Sequence, residues 1–591
     1  MTRVAMAEVH DILRRVFGFS GFRGQQEAVV SRVLSGEPTL ALMPTGAGKS
    51  LCYQLPALAL EGTAIVISPL IALMHDQIRA AQALGIRAAS MTSADADNAS
   101  TAQALREGRL DLLYVAPERA TTPGFESLLG QSRISLFAID EAHCVSEWGH
   151  DFRPDYRALK PLLERFPAVP RLALTATADE VTREDVLRQL GIPSQGLVIA
   201  GFDRPNIRYA IHPRGNGSQQ VADFVRRTSG AGIVYATSRA ATEQLARRIA
   251  ETGREVGFYH AGLPPERRSA VQAEFVAAED MVMVATIAFG MGIDKPDVRF
   301  VVHAGLPKSI EAYYQETGRA GRDGDPAEAA LFWSPNDFAK ARQRLTEVED
   351  HRLASERARL DALAGLVETP GCRRAILLRH FGEDPAPTCG NCDNCENPPR
   401  ALDVTELARK LLSAVYRTGQ SFGMGHIEKV LLGRADDRIS QRGHDDLSVF
   451  GIVGEEDGPL LRPVMRSLTA HGILTTTEHG GLALGAAARP VLKGELPVTI
   501  AEPPAKKRRR ARTQAANPIG DPLFEALREK RKDLAREQGV PAYVIFHDSV
   551  LRDMATHRPE TIAQLGELQG VGAKKLENYG GDFIAVIRSF T

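Results

Sequence analysis

The chain has 591 residues, 43% hydrophobic and 25% charged, with a formal net charge of −1. That length exceeds the roughly 250 to 300 residues a single core reaches, so three or more domains are expected. No apolar run approaches the roughly 20 residues a bilayer span needs, which excludes a membrane-spanning helical protein. The opening MTRVAMAEVHDILRRVFGF reads as an amphipathic helix and not a secretory signal, so a cytoplasmic location is expected.

Up to about residue 340 short apolar runs alternate with helical patterns: TLALM, TAIVIS, DLLYVA, ISLFAID and RLALTAT, then GIVYAT, EVGFYH, MVMVATIA and VRFVVH. Such runs predict parallel strands covered by helices on both faces. Their number predicts two α/β lobes over 1–205 and 206–340, parted near GFDRPNIRY, where Gly201 and Pro205 interrupt the pattern. A cleft between lobes is a natural ligand site. Residues 341–400 read as helical and then cysteine-bearing, and 401–500 as short helices with Gly-rich turns. Residues 501–518, with paired prolines and six cations between Lys506 and Arg512, read as a flexible basic tether with non-specific phosphate affinity. Residues 519–591 are helical again.

Three motifs carry chemistry. TLALMPTGAGKS places a Gly-rich loop between a strand and a helix; the backbone around Thr45, Gly46 and Gly48 would cradle phosphates, Lys49 would reach the β and γ phosphates, and Ser50 would hold Mg²⁺. Met43 stands where the strict pattern has glycine. LFAIDEAH ends a second apolar strand in carboxylates, so that Asp140 would contact Mg²⁺ and Glu141 would orient and polarise the attacking water. In QETGRAGRDG, Arg319 and Arg322 would present guanidinium groups across the cleft to the γ-phosphate. Separately, Cys372, Cys389, Cys392 and Cys395, in the spacing C-x16-C-x2-C-x2-C, offer four thiolates for a tetrahedral ion, most simply structural Zn²⁺, with an iron–sulfur cluster as the alternative. Cys52 and Cys144 read as buried thiols and not ligands.

TGAGKS, DEAH, TAT (Thr175 to Thr177) and QETGRAGR, in this order, resemble a superfamily 2 helicase. FGFSGFRGQQEAV, SPLIALMHDQ, FDRPN, YATSRA and ATIAFGMGIDKPDVRFVVH further resemble the RecQ family of DNA helicases over nearly the whole chain. The resemblance implies two RecA-like lobes, a helical zinc module, a winged helix and a C-terminal helical HRDC bundle. It also implies an ATP-dependent helicase moving 3′ to 5′ on DNA in recombination, repair and replication, in the nucleoid-associated cytoplasm. Single-stranded, duplex or branched DNA is the implied substrate, with a single-stranded-DNA-binding protein and recombination proteins as possible partners. An RNA helicase, or an architectural DNA-binding protein with a decayed ATPase, is the alternative reading.

On the same resemblance Phe19, Arg23 and Gln26 form an adenine-recognition motif, with Phe19 where relatives often have Tyr, and His143 and Gln315 join the catalytic set. Gly305 replaces an acidic residue of many bacterial relatives, so no base contact is expected there. Arg434, Arg438, Arg442 and His444 of the winged helix are candidates for DNA contact. In GVGAKK, residues Gly570, Val571, Gly572, Lys574 and Lys575 would either approach a phosphate at a helix N-terminus or form a packing turn, leaving open whether this domain meets DNA or the motor. Trp148, Phe152, Arg153 and Tyr156 follow the carboxylates closely, and a loop of rings and cations there would report strand occupancy to the hydrolytic site; packing of the loop is the alternative.

Overall fold

The structure is a computed structural model that describes residues 5–590 except 93, 94, 96, 148–151, 179, 287–288, 290–294, 346–347, 349, 478–480 and 503–520. Trp148 and the basic run Lys506 to Arg512 therefore lie outside the described residues.

Lobe 1 is built on seven parallel strands: β1 (Thr39–Leu42), β2 (Thr63–Ile67), β3 (Ala88–Met91), β4 (Leu112–Val115), β5 (Ile134–Ile139), β6 (Arg171–Thr175) and β7 (Leu197–Ile199), in the order β3-β4-β2-β5-β6-β1-β7. Helices cover both faces, so central strands are buried on both sides. Leu40, Leu42, Ile65 and Ile67 face one apolar cluster, while Ala41, Met43, Ala64 and Val66 face the other. This two-sided burial is why the strands read as continuous apolar runs and not as alternation.

Lobe 2 repeats the plan with β8 (Ile207–Pro213), β9 (Ala231–Tyr235), β10 (Val256–Tyr259), β11 (Val282–Ala285), β12 (Val298–His303) and β13 (Ala327–Trp333), ordered β10-β11-β9-β12-β13-β8 and parallel throughout. The helix Asp350–Glu368 and the cysteine-bearing segment pack against the β8 edge, where Cys392 forms an isolated bridge with Tyr209. Four helices from Thr405 to Ala470 and two small antiparallel pairs, β14 (Ala401–Asp403) with β17 (Thr499–Ala501) and β15 (Leu474–Thr476) with β16 (Leu482–Leu484), enclose a separate core that includes Leu411, Ile427 and Leu468. No helix among the described residues is long and apolar enough to cross a membrane.

The C-terminal bundle, opening on the helix Pro522–Gln538 and closing on Ala573–Arg588, has its own core around Leu527, Phe546 and Phe583. It rests on both lobes. On lobe 1, the Gly570 N–H donates to the Gly18 carbonyl at 2.8 Å, and a Cβ on Gly572 would lie 2.7 Å from the Val16 oxygen. On lobe 2, Glu279 receives Arg528 at 2.6 Å, Lys532 at 3.1 Å and Arg531 at 3.5 Å, and Arg552 pairs with Asp325. Three cations converging on one carboxylate that is only 16% exposed make Glu279 the electrostatic centre of this contact.

Glu279→Lys should therefore release the bundle from lobe 2, since removing one partner of a desolvated, hydrogen-bonded charge cluster costs about 2 to 5 kcal/mol. Small-angle scattering should show a larger radius of gyration with both folded parts intact by circular dichroism. An unchanged radius would show that the ion cluster does not hold the bundle in place.

Candidate active site and metal centre

β1 runs into the phosphate-loop segment, where Gly46 (φ +85°) and Gly48 (φ +74°) take left-handed backbone conformations that other residues adopt only at a cost. A Cβ on Gly48 would lie 2.5 Å from Gln26 Nε2, so the second glycine also admits a close approach. Met43, in the place of the strict glycine, is buried beneath the loop. Lys49 Nζ donates to Met43 O at 3.2 Å, and Ser50 leads into the helix Leu51–Ala59. The segment from 19 to 26 is wired to this loop. Gln26 is buried; its Nε2 donates to Ala47 O at 2.9 Å and its Oε1 accepts from the Arg23 N–H at 2.8 Å, while the Arg23 guanidinium lies 5.8 Å from the centre of the Phe19 ring.

β5 delivers Asp140 and Glu141 beside Lys49. Glu141 has φ +48°, an uncommon conformation for a non-glycine residue that occurs at sites where surrounding structure enforces it. Burial and the neighbouring Glu141 push the Asp140 carboxyl up to about 7, against the opposing pull of Lys49. Glu141 Oε2 is buried without a hydrogen bond and lies 3.4 Å from His143 Nδ1. Two adjacent carboxylates, one of them buried, fit a divalent cation, and Asp140 with Ser50 would hold Mg²⁺ there. His143 is buried and meets Thr175 Oγ1 at 2.9 Å, which ties DEAH to TAT through one side-chain contact.

The opposite wall of the cleft is the loop after the helix Ile310–Thr317. A Cβ on Gly46 would lie 3.5 Å from the Cγ of Arg322, and one on Gly318 would lie 3.3 Å from the Cβ of Thr45. Arg322 thus stands against the phosphate loop. Arg319 is buried beside the phenol of Tyr235, whose pKa burial raises to about 12 against the pull of Arg319. Gln315 is half-buried on the same helix. Arg204, between the lobes, donates to Thr45 O, Gly318 O, Ala320 O and Gly321 O. No spacing pattern marks Arg204 in the sequence; the only signal is a charged side chain inside the FDRPN interruption.

Beyond DEAH, Tyr156 is fully buried and its hydroxyl donates to Asp140 O at 2.9 Å. The Arg153 N–H donates to Cys144 O at 2.9 Å, and its guanidinium Nη1 donates to Pro69 O at 3.0 Å. Phe152 is half-buried, with the Arg157 guanidinium 5.3 Å from its ring centre. Tyr156 is therefore a structural tie to the carboxylate strand, while Phe152 and Arg153 keep part of their surface.

The sulfurs of Cys372, Cys389, Cys392 and Cys395 all lie within 4.8 Å of one another. A tetrahedral ion with sulfurs at about 2.3 Å sets them about 3.8 Å apart, and Cys389 and Cys395 stand at 3.9 Å. Main-chain N–H groups of Ala375, Asn391 and Cys389 point at three of the sulfurs, a setting that favours thiolates. The cluster fits Zn²⁺.

Arg434, Arg438 and Arg442 are exposed, with Arg434 paired to Glu455 at 3.0 Å and Arg438 over the Phe422 ring. His444 is placed otherwise than on a DNA-facing surface: its ring is buried, meets His426 Nε2 at 2.8 Å and packs edge-on to Phe422. In GVGAKK, Gly570, Val571 and Gly572 are against lobe 1, so the turn serves packing in this arrangement. Lys574 is exposed and paired with Glu577, whereas the Lys575 ammonium turns inward to 5.6 Å from the Phe546 ring, where burial lowers its pKa to about 8. A side chain at Gly305 would strike Thr237 at 2.3 Å, so lobe 2 leaves no room for an acidic residue there without rearrangement.

Residues 23–186 match the DEAD/DEAH box helicase family, 218–324 the helicase conserved C-terminal domain, 335–396 the RecQ zinc-binding family, 398–509 the RQC domain and 521–587 the HRDC domain. The ATP-dependent DNA helicase RecQ of Pasteurella multocida is 42% identical over 98% of this chain and 93% of its own length. Those of Haemophilus influenzae and Bacillus subtilis are 41% and 38% identical over 98% of this chain, and over 95% and 98% of their own lengths. Likeness of this degree runs through the motor, the cysteine cluster and both C-terminal domains, and the chain belongs to the RecQ family of ATP-dependent DNA helicases.

Proposed function

We propose that ATP hydrolysis in the cleft drives 3′-to-5′ movement along single-stranded DNA and so opens duplex or branched DNA during recombination, repair and replication. The observation that carries the reading is the meeting of the phosphate loop with Arg322 across one cleft, since a site divided between two lobes turns a chemical cycle into relative motion. The direction of movement rests on family membership. So do the nucleoid-associated location and the partners, a single-stranded-DNA-binding protein and recombination proteins. The domain limits 1–205, 206–340, 341–400, 401–500, 501–518 and 519–591 belong to the same proposal.

Within the cleft, Phe19, Arg23 and Gln26 hold the adenine end of the substrate, and Thr45 to Ser50 wrap its phosphates. Mg²⁺, held by Ser50 and Asp140, supplies charge neutralisation on the phosphate oxygens when bound. Glu141 orients the attacking water and takes its proton, with His143 3.4 Å from its Oε2. His143, locked to Thr175, couples that carboxylate to TAT, and Gln315 lines the opposing wall. Arg322, with Arg319 behind it, meets the charge that develops on the transferred phosphoryl group. Tyr156 links the loop of Phe152 and Arg153 to the Asp140 main chain, so DNA on that loop is felt at the carboxylates. Arg434, Arg438, Arg442 and Lys574 are the surface cations left for DNA phosphates.

Lys49→Ala should bind forked DNA nearly as well as the parent and lose ATP hydrolysis by about 100-fold or more, because a phosphate contact and no DNA contact is removed. Unwinding at the parent rate would refute the phosphate-loop assignment.

Phe152→Ala and Arg153→Ala should keep basal ATPase and the parent's melting temperature while losing most of the stimulation by single-stranded DNA. Full stimulation in either variant would mean that the loop only packs, and that the transmission path lies elsewhere.

Metal analysis should find one zinc per chain, and Cys392→Ser should give an insoluble or readily proteolysed product, because metal binding supplies folding free energy in such modules. A soluble, metal-free and active Cys392→Ser protein would defeat the structural-zinc assignment.

A further inference from the structure

Residues 200–206 carry the chain from lobe 1 to lobe 2, and Arg204 reaches both walls of the cleft from there. Nη1 donates to the Thr45 carbonyl of the phosphate loop at 2.5 Å and to Gly318 O at 3.1 Å; Nη2 donates to Ala320 O and Gly321 O, both at 2.9 Å. The two terminal nitrogens thus serve one carbonyl in lobe 1 and three in the loop that bears Arg319 and Arg322. Gly46 lies beside the contact, a Cβ there being 3.4 Å from Nη1. Asn206 holds the same loop from lobe 2, its Nδ2 donating to Gly321 O and Asp325 O at 2.8 Å. The Arg204 main chain is itself fixed, because its carbonyl accepts from the Ile207 N–H at 3.0 Å and from Arg374 Nη2 at 3.2 Å.

We propose that Arg204 is a positioning residue for hydrolysis: its planar fork sets the arginine-bearing loop against the phosphate loop, so that Arg322 is in register with the γ-phosphate when the lobes are together. The inference rests on the reading of this cleft as the site of ATP hydrolysis. The contacts are backbone-directed and span the lobes, so they act on the alignment of the reacting groups more than on nucleotide affinity. Alignment errors of about 1 Å cost about 100-fold in rate. Lysine keeps the charge but places three donors on one atom, and it cannot reproduce the fork.

The test compares the parent, Arg204→Lys, Arg204→Ala, Asn206→Ala and Arg322→Ala by thermal unfolding, by kcat and KM of DNA-stimulated ATPase, and by affinity for ADP with beryllium fluoride and ADP with aluminium fluoride. Arg204→Lys should melt with the parent and keep KM and beryllium-fluoride affinity within about 3-fold, while kcat and aluminium-fluoride affinity fall together by about 30-fold or more. Arg204→Ala should do the same or worse. Asn206→Ala, which loosens the loop without touching lobe 1, should show a several-fold loss of the same selective kind, and this arm decides the matter if the Arg204 variants do not fold. Parent-like kcat in Arg204→Lys, equal losses for both analogues, or an unaffected Asn206→Ala would overturn the proposal. A parent protein without DNA-stimulated ATPase, or full activity in Arg322→Ala, would instead overturn the reading of the cleft and the proposal with it.

Discussion

The arrangement of the motor depends on how residues 200–207 are satisfied where they cross between the two sheets. Between Ala200, whose N–H still reaches Leu42 O, and Asn206, whose carbonyl accepts from the Ala327 N–H, the chain lies outside both sheets, and each buried main-chain group left unpaired there would cost roughly 1 to 3 kcal/mol. Side chains from elsewhere supply the partners. Glu383 accepts from the Phe202 N–H, Tyr314 donates to Phe202 O at 2.7 Å, Asn391 donates to Pro205 O at 2.9 Å, and Arg374 reaches Ile207 O at 2.6 Å. Phe381 stacks on Phe202 with ring centres 4.7 Å apart. Most of these groups belong to the cysteine-bearing module, which thus braces the joint between the lobes.

The same economy of parts governs the nucleotide cleft. Gln26 joins the adenine segment to the phosphate loop, His143 joins the carboxylates to Thr175, and Tyr156 joins the aromatic-rich loop to Asp140. Each link is a buried side chain reaching a main-chain or hydroxyl oxygen. Such a link transmits displacement because neither end has water to substitute for the lost partner.

How much of this is legible in the sequence depends on whether the information is local. The phosphate loop, the DEAH turn and the cysteine spacing each lie within a few residues and are visible as strings. Central strands such as β2, β5 and β12 are visible because burial on both faces makes them mostly apolar. Strands β3, β7 and β8 escape that reading: they are sheet edges, and β3 and β7 are only partly buried, so their side chains need not be uniformly apolar. β13 is central but begins Ala-Glu-Ala-Ala, whose helix propensity masks a strand imposed by its neighbours β12 and β8. Arg204, Arg374 and Glu383 are invisible for a different reason, since their partners are remote in sequence. Lys575 and His444 show the limit of a local string: each is a basic residue in a plausible run, and only the packing shows that it lies against a ring, Phe546 or Phe422.

The C-terminal bundle joins these strands of reasoning, because it touches lobe 1 and lobe 2 by different physics. Against lobe 1 the contact is short-range: Gly18, at φ +72°, meets Gly570 and Gly572 so closely that a Cβ on Gly18 would lie 2.6 Å from the Gly572 nitrogen. Against lobe 2 it consists of ion pairs to Glu279 and Asp325, which weaken with salt in proportion to their exposure. A change in the angle between the lobes must displace one set. The glycine contact has no side-chain length with which to follow a displacement, whereas the arginine and lysine arms have. The bundle should therefore stay with lobe 1 at the start of a closing motion and slide on lobe 2. Since Gly18 immediately precedes Phe19, the lobe 1 contact lies one residue from the adenine segment, where the position of the bundle and the occupancy of the nucleotide site act on the same stretch of backbone.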